Sequence, residues 1–168
     1  MELLKTKRIV MRQVTTDDAF HILELMNSEG WLTYIGNRNI NSIEDAKNYI
    51  IEKYLPFYKT SSLGPYVIQS KLGDFVGTIG LYKRESLSMP DLGFAILPAF
   101  YKKGYTYEAS IALLNYAKVE LKYSEISAIT LKSNIASIKL LEKLGFKKSG
   151  TYIDATTNEL LLCYKCKL

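Results

Sequence analysis

Two lysines and a glycine mark the point where an apolar segment ends and a long helical pattern begins, at Lys102-Lys103-Gly104. The first N–H groups of a helix lack partners within it and carry partial positive charge. A glycine lets the backbone approach a ligand closely, and the lysines add charge. The junction therefore predicts a phosphate or diphosphate site, although a turn with solubilising lysines would have the same composition.

A second set of polar residues opens a later helix, where Asn134 and Ser137 precede a leucine-rich run that ends at Gly145-Phe146. Asn134 is predicted to cap this helix, Ser137 to lie in its first turn, and Gly145 to end it. Taken alone, this pattern requires no ligand.

Strands and helices must position both sets. Helical patterns begin near Thr15, at Ser42 (ended or bent by Pro56), at Lys103 (to Leu121) and at Asn134 (to Leu144), while Gly30–Asn41 is predicted to be a loop. Strand patterns occur at Lys7–Arg12, Gly64–Ser70, Phe75–Lys83, Asp91–Leu97, Glu125–Leu131, Phe146–Ile153 and Leu160–Lys167.

Meandering strands followed by strand–helix–strand units predict an α+β fold in α/β/α layers. We expect a mixed, mainly antiparallel sheet of seven strands with helices on both faces. Residues 1–168 are predicted to form one domain.

The order and spacing of the two polar sets resemble the GNAT superfamily of N-acetyltransferases, in particular its ribosomal-protein-acetyltransferase-like (Rim-type) branch. The family motif Q/R-x-x-G-x-G/A falls on Tyr101–Thr106, and the motif N-x-x-S/A-x-x-L-x-x-x-G-F falls on Asn134–Phe146. The similarity spans about residues 7–167. Tyr101 and Thr106 depart from the first motif, but any residue except proline supplies a backbone N–H group.

The resemblance implies a GNAT-like sheet that splays between its fourth and fifth predicted strands, and acetyl-CoA as co-substrate without a metal. The diphosphate of coenzyme A would bind the turn, and its pantetheine arm would pair with the exposed strand edge. The implied coenzyme-binding residues are Ile96, Leu97, Lys102, Lys103, Gly104, Tyr105, Thr106, Asn134 and Ser137.

The resemblance also implies direct attack of a primary amine on the thioester. We find no Ser-His-Asp or Cys-His arrangement for a protein nucleophile. Asp91 is the candidate general base, acting directly or through a water, although it follows Pro90 and is equally suited to shaping a turn. Strand N–H groups such as that of Ile96 are candidate oxyanion donors.

The departing thiolate benefits from a proton donor, because a thiol has a pKa near 8.5. Many relatives place a tyrosine four residues after the S/A of the second motif, but this chain has Leu141 there. Ser137 is therefore the candidate hydrogen-bond donor to the sulfur.

The acceptor pocket is predicted to contain Trp31, Tyr34 and Arg38, together with the loop around Glu85–Met89. Aromatic rings and an arginine would suit a peptide N-terminus or a small polar amine. The alternative for Trp31 is packing beneath the sheet.

The composition bounds the partners. The net charge of +5 and pI near 9.0 fit an anionic ligand, nucleic acid, or solubility alone. The chain has no apolar run of the kind found in signal peptides or membrane spans, so we expect a cytoplasmic protein. Cys163 and Cys166 are predicted to pack rather than to bind metal, since no second pair accompanies them.

Two other functions remain open at this level. The Leu141 departure is compatible with a GNAT-like sensor that binds acyl-CoA without reacting. A basic RNA-binding module is disfavoured, because no aromatic ribonucleoprotein motif and no G-x-x-G loop of the single-strand-binding kind occurs. The tyrosine-containing C-terminal strands also allow a homodimer.

Overall fold

Alternating apolar residues build one sheet that runs through the whole molecule. The computed structural model describes residues 1–60, 63–84, 87–154 and 157–168. Within them the eight strands lie in the order β1-β2-β3-β4-β5-β6-β8-β7. Their bounds are β1 Glu2–Lys5, β2 Ile9–Gln13, β3 Gly64–Ser70, β4 Phe75–Tyr82, β5 Asp91–Ile96, β6 Glu125–Thr130, β7 Lys147–Ile153 and β8 Leu160–Lys167.

The predicted mixed, mainly antiparallel sheet is confirmed, since every neighbouring pair is antiparallel except β5 and β6. The sheet has one strand more than predicted, because Glu2–Lys5 forms a hairpin with Ile9–Gln13. The N–H group of Thr6 donates to the Ile9 carbonyl at 2.9 Å and closes that hairpin. The predicted first strand therefore starts at Ile9 rather than Lys7.

Six α-helices connect the described strands. They are α1 Ala19–Met26, α2 Glu29–Tyr34, α3 Ile43–Tyr49, α4 Phe57–Thr60, α5 Tyr105–Val119 and α6 Ile135–Lys143. A π-helical turn, Ile50–Tyr54, extends α3, and its Leu55 N–H donates to the Ile50 carbonyl at 2.9 Å. Helix α2 overlaps the start of the segment predicted to be a loop, and Ser28 caps this helix by accepting the Trp31 N–H.

Both faces of the sheet are covered, which gives the predicted α/β/α layers. The α5-side core joins one sheet face to α5 and α6 and includes Ile68, Ile79, Leu113, Ile126 and Leu141. The α1-side core joins the other face to α1, α3 and the π-helical turn and includes Ile22, Leu25, Trp31, Ile50 and Leu97.

The cysteines and the helices bear on whether the chain forms disulfides or membrane-spanning segments. Cys163 and Cys166 are both buried and free of disulfides. Within the four described ranges, no helix combines the length and apolar character needed to cross a bilayer.

The predicted splay between the two central strands is confirmed. Strands β5 and β6 pair only at Asp91 and Ser127 among the described residues, where the Ser127 N–H donates to the Pro90 carbonyl at 3.0 Å. Beyond that point they diverge and leave a gap along β5. A strand rises about 3.3 Å per residue, so the stretch from Asp91 to Ile96 is roughly 16 Å long.

Candidate active site

The edge of β5 that faces the gap carries unpaired backbone groups. The Leu97 N–H donates to the Val76 carbonyl on the β4 side at 2.9 Å. Backbone groups of successive strand residues point in opposite directions, so those of Ile96 and Phe94 face away from β4. The N–H and C=O groups of Phe94 and Ile96 therefore border the gap.

This geometry corrects one predicted coenzyme contact. Leu97 was expected to offer backbone groups to the pantetheine arm, but its N–H is bonded to Val76 and its carbonyl accepts the Phe100 N–H at 2.9 Å. Phe94 offers the corresponding groups instead. Sequence reasoning missed Phe94, although the two-residue alternation counted from Ile96 would have indicated it.

The turn between β5 and α5 holds its N–H groups open. Lys102 and Gly104 both have positive φ, at 59° and 78°, and this moves the start of α5 from the predicted Lys103 to Tyr105. The first hydrogen bond into the helix runs from the Glu108 N–H to the Gly104 carbonyl at 3.1 Å. None of the N–H groups from Lys102 to Thr106 donates a hydrogen bond to another described residue. Such a succession of open N–H groups forms a concave anion site.

Side chains brace this turn without blocking it. Arg8 donates to the Lys103 carbonyl at 2.9 Å and to Glu108 at 2.5 Å, and its guanidinium lies 4.8 Å from the Tyr105 ring centre. The Lys103 ammonium lies 5.2 Å from the ring centre of Phe100. These contacts engage a carbonyl oxygen, a carboxylate and ring faces. The N–H groups of the turn stay available.

The second polar set lies at the start of α6. Asn134 caps the helix, because its Oδ1 accepts the Ser137 N–H at 3.1 Å. The half-buried Ser137 hydroxyl makes no hydrogen bond to any described residue. Leu141, at the position where the resemblance suggested a tyrosine, is an apolar side chain that is only 1% exposed in the α5-side core. Gly145 ends the helix with φ at 91°, as predicted.

Asp91 lies where the gap closes. Its side chain is 2% exposed, and Arg84 Nε donates to its Oδ1 at 2.8 Å. Burial raises the pKa of the Asp91 carboxyl above its ordinary value, even though the Arg84 charge and hydrogen bond act in the opposite direction. A carboxylate with a raised pKa is a stronger base than an ordinary surface aspartate.

The two candidate catalytic side chains belong to opposite sides of the sheet. Leu92 packs in the α5-side core, so alternation places Asp91 on the α1 side of the sheet. Its partner on the adjacent strand β4, Tyr82, lies on the same side. Ser137 belongs to α6, whose Leu141 packs in the α5-side core. A group held in the gap between β5 and β6 would thus have Asp91 and the start of α6 on different sides.

The predicted acceptor residues are only partly brought together. Trp31 is 7% exposed in the α1-side core, and its indole N–H donates to the Gly36 carbonyl at 3.0 Å. The assignment of Trp31 to the acceptor pocket is therefore corrected to core packing, because its polar and apolar parts are both satisfied there. Tyr34 and Arg38 are exposed. Glu85 and Ser86, from the predicted acceptor loop, lie outside the described residues.

A cavity of about 510 Å³ opens on the α1 side of the sheet, away from that predicted trio. Sequence reasoning missed it, because its walls come from the π-helical turn, its flanks and β4, which are separated along the chain. Its lining residues are Tyr49, Glu52, Lys53, Tyr54, Pro56, Phe57 and Tyr82. Burial raises the pKa values of Tyr54 and Tyr82, so both rings carry neutral hydroxyl groups.

Known proteins share this sequence pattern and this fold. Residues 8–147 match the family profile for the acetyltransferase (GNAT) domain. The chain is 29% identical over 150 residues to the uncharacterized N-acetyltransferase YoaA of Bacillus subtilis (strain 168), a match that covers 88% of this chain and 84% of YoaA. Another uncharacterized N-acetyltransferase of that organism, YnaD, is 25% identical over 150 residues, covering 89% of this chain and 85% of YnaD.

Solved structures show the same architecture. RimL, a ribosomal α-N-protein acetyltransferase in complex with coenzyme A, superposes with a TM-score of 0.85 at 12% identity, covering 100% of this chain and 98% of RimL. A GNAT-family acetyltransferase from Bacillus anthracis gives a TM-score of 0.81 at 21% identity, covering 99% of this chain and 98% of that one. Proteins of the Rim type are thus among those that share this fold. The chain belongs to the GNAT family and is an N-acetyltransferase, an enzyme that transfers acetyl groups to amines.

Proposed function

We propose that this enzyme transfers the acetyl group of acetyl-CoA directly to a primary amine in the gap between β5 and β6. One observation carries the proposal. The open edge of β5, at Phe94 and Ile96, leads into a turn whose N–H groups from Lys102 to Thr106 are unengaged. An extended arm with amides and a terminal diphosphate would match this continuous row of donors and acceptors.

The coenzyme would lie along β5 with its ends fixed by this geometry. The diphosphate binds Lys102–Thr106, where helix α5 adds partial positive charge. The pantetheine amides pair with the backbone of Ile96, and the side-chain amide of Asn134 contacts the arm while its oxygen caps α6. The thioester then lies toward the closed end of the gap, near Phe94 and Asp91.

Three proton and charge tasks complete the transfer. The amine nitrogen bonds to the acetyl carbon and the carbon–sulfur bond breaks, so the amine loses a proton and coenzyme A leaves as a thiolate that gains one. Asp91 accepts the amine proton, directly or through a water. The N–H of Phe94 or Ile96 stabilises the oxyanion, and the Ser137 hydroxyl hydrogen-bonds the departing sulfur.

The acceptor is a primary amine of a protein N-terminus or of a small molecule. No covalent acyl-enzyme is needed, since the amine attacks the thioester itself. Low activity with every amine would instead favour the alternative of an acyl-CoA-binding sensor, which the buried Leu141 keeps open.

The proposal is tested by thiol release from acetyl-CoA with a panel of amines, read together with coenzyme A binding by calorimetry. We expect tight binding, and release that requires both acetyl-CoA and an amine. Binding without release from any amine would leave the sensor alternative. Absence of coenzyme A binding would overturn the proposal.

A further inference from the structure

The cavity on the α1 side has walls made largely of aromatic rings. Two edge-to-face pairs contribute to them, Tyr49 with Tyr54 at 5.2 Å and Phe57 with Tyr82 at 6.4 Å between ring centres. Edge-to-face contact is a favoured arrangement, and it stabilises the orientation of the rings in the walls. A cavity of about 510 Å³ is within the size range of small-molecule sites.

The π-helical turn shapes one side of this cavity. Within α3 and its extension, the turn Ile50–Tyr54 carries Glu52, Lys53 and Tyr54, and all three line the cavity. Such π-turns cost helix stability and are found frequently at functional sites. Tyr49, Glu52 and Lys53 lie on one face of a helix at the ordinary i, i+3 and i+4 spacing, and Tyr54 of the turn lines the same cavity.

Tyr82 joins the cavity to the strand that borders the gap. Tyr82 lines the cavity and pairs with Asp91 on the adjacent strand β5. A Cβ atom on Gly93 would lie 2.9 Å from ring carbon Cε2 of Tyr82, so the missing side chain at position 93 lets the ring lie against β5. A molecule in the cavity is therefore separated from β5, near Asp91, by the Tyr82 ring.

The charges at the cavity favour a molecule with few of its own. Glu52 is the carboxylate among the described lining residues, and the adjacent Lys53 offsets it. The several positive charges of a polyamine would therefore find no excess of negative charge in the lining. A single ammonium group, in contrast, needs no negatively charged wall, because the faces of the surrounding rings attract it.

We propose that this cavity selects the acceptor, and that the acceptor is a small primary amine with one positive charge on an apolar body, aromatic or branched aliphatic. This inference rests on the proposed function, since it names the amine that reaches the thioester. The apolar body packs among Tyr49, Phe57 and Tyr82, and the amino group points past Tyr82 toward β5.

The test separates binding from turnover. Protein saturated with coenzyme A is titrated calorimetrically with 2-phenylethylamine, with spermidine and with a pentapeptide bearing a free N-terminus. We expect 2-phenylethylamine to bind at least tenfold more tightly than either of the others. Phe57→Ala should weaken it by about tenfold or more, because a buried ring contact is lost. Ile51→Ala, in the same turn but outside the cavity lining, is the matched control and should leave binding unchanged.

Thiol-release assays on the same proteins distinguish the two proposals. If 2-phenylethylamine binds in a Phe57-dependent way but no amine releases thiol, the acceptor site stands and the acetyl transfer fails. If spermidine or the peptide binds as tightly as 2-phenylethylamine, or supports the higher kcat/KM, the inference is overturned while the transfer stands. A Phe57→Leu variant checks the same prediction should Phe57→Ala fail to fold.

Discussion

The proposed coenzyme site lies along β5 and the proposed acceptor cavity lies behind Tyr82 of the neighbouring β4, and the two are built from different kinds of groups. Along the gap and the turn, the groups open to a ligand are backbone N–H and C=O groups of Phe94, Ile96 and residues 102–106. In the cavity they come from side chains such as Tyr49 and Phe57. Backbone groups are supplied by any residue except proline, so substitutions along β5 and the turn leave the donors and acceptors in place. A substitution in the cavity lining changes the groups that contact the ligand.

This contrast explains how the chain can depart from the family motif at Tyr101 and Thr106 and still keep an open turn. It also fits a RimL structure with a TM-score of 0.85 at only 12% identity. What the two proteins share is the fold. If side chains select the acceptor, relatives that differ at Tyr49, Phe57 or Tyr82 are expected to take different amines.

The largest effect should come from Asp91, which lies at the closed end of the gap and pairs with Tyr82 of the cavity wall. Asp91→Asn is expected to lower kcat by about 100-fold or more, since a positioned general base contributes that much. Affinity for acetyl-CoA should change little. The rate is measured by thiol release from acetyl-CoA. Arg84→Lys, which keeps a cation beside the carboxylate, is compared with the wild type as the control. A rate within threefold of the wild type would remove Asp91 from the chemistry.

The pH profile sharpens the same claim. The base must be ionised to accept a proton, and burial raises the Asp91 pKa. Hence kcat/KM should fall as the pH drops through a pKa above the ordinary aspartate value, and Asp91→Asn should remove that limb. Persistence of the limb in Asp91→Asn would assign it to another group.

The backbone character of the turn is tested by two substitutions two residues apart. Gly104→Val should weaken acetyl-CoA binding by about 10- to 100-fold, because φ of 78° strains any side chain and a Cβ would lie 3.3 Å from Arg8 Nη2. Lys102→Gly removes a charge but keeps the N–H group, so the change should stay within about fivefold. Calorimetry gives both values. The reverse ranking would mean that side-chain charge, not backbone, holds the diphosphate.

A smaller effect is expected at α6. Ser137→Ala should lower kcat about tenfold with little change in acetyl-CoA affinity, since the hydroxyl acts on the leaving sulfur. Ser133→Ala, an exposed position before the helix cap, serves as the comparison variant. An unchanged kcat in Ser137→Ala would leave Ser137 as a helix residue only.

The smallest effect concerns stability alone. Lys102 adopts φ of 59°, which costs a side-chain-bearing residue about 1–2 kcal/mol, while glycine loses roughly 0.5–1 kcal/mol of chain entropy on folding. Lys102→Gly should therefore stabilise the protein by about 0.5 kcal/mol, measured by urea unfolding. A loss of stability would show that Lys102 makes contacts that outweigh its strained backbone.

The contrast between the regions also marks what the sequence can predict. Strand alternation and the caps at Asn134 and Gly145 are local signals, and they placed seven of the strands and α6 correctly, whereas the splay was implied by the resemblance to the GNAT superfamily. The start of α5 was missed by two residues, because a positive φ at Lys102 is not encoded by its residue type. The hairpin strand Glu2–Lys5 was missed because it is short and lies at the sheet edge.

The acceptor side was less predictable for a physical reason. Trp31 and Tyr34 lie three residues apart in a segment whose composition is typical of a loop. Trp31 is nevertheless buried in the α1-side core, whereas Tyr34 is exposed. The cavity combines Tyr49 and Phe57 with Tyr82, and no local pattern brings those segments together. Only tertiary packing shows which aromatic residues face the sheet and which ones fill the core.

Amide hydrogen exchange measured by NMR, with and without coenzyme A, addresses the backbone-built site itself. Added coenzyme A should slow exchange at the amides of Ile96 and of several residues between Lys102 and Thr106, and should leave the amide of Leu97, already bonded to Val76, nearly unaffected. Saturating coenzyme A that leaves the exchange of Ile96 and of the turn unchanged would contradict a diphosphate held by those open N–H groups.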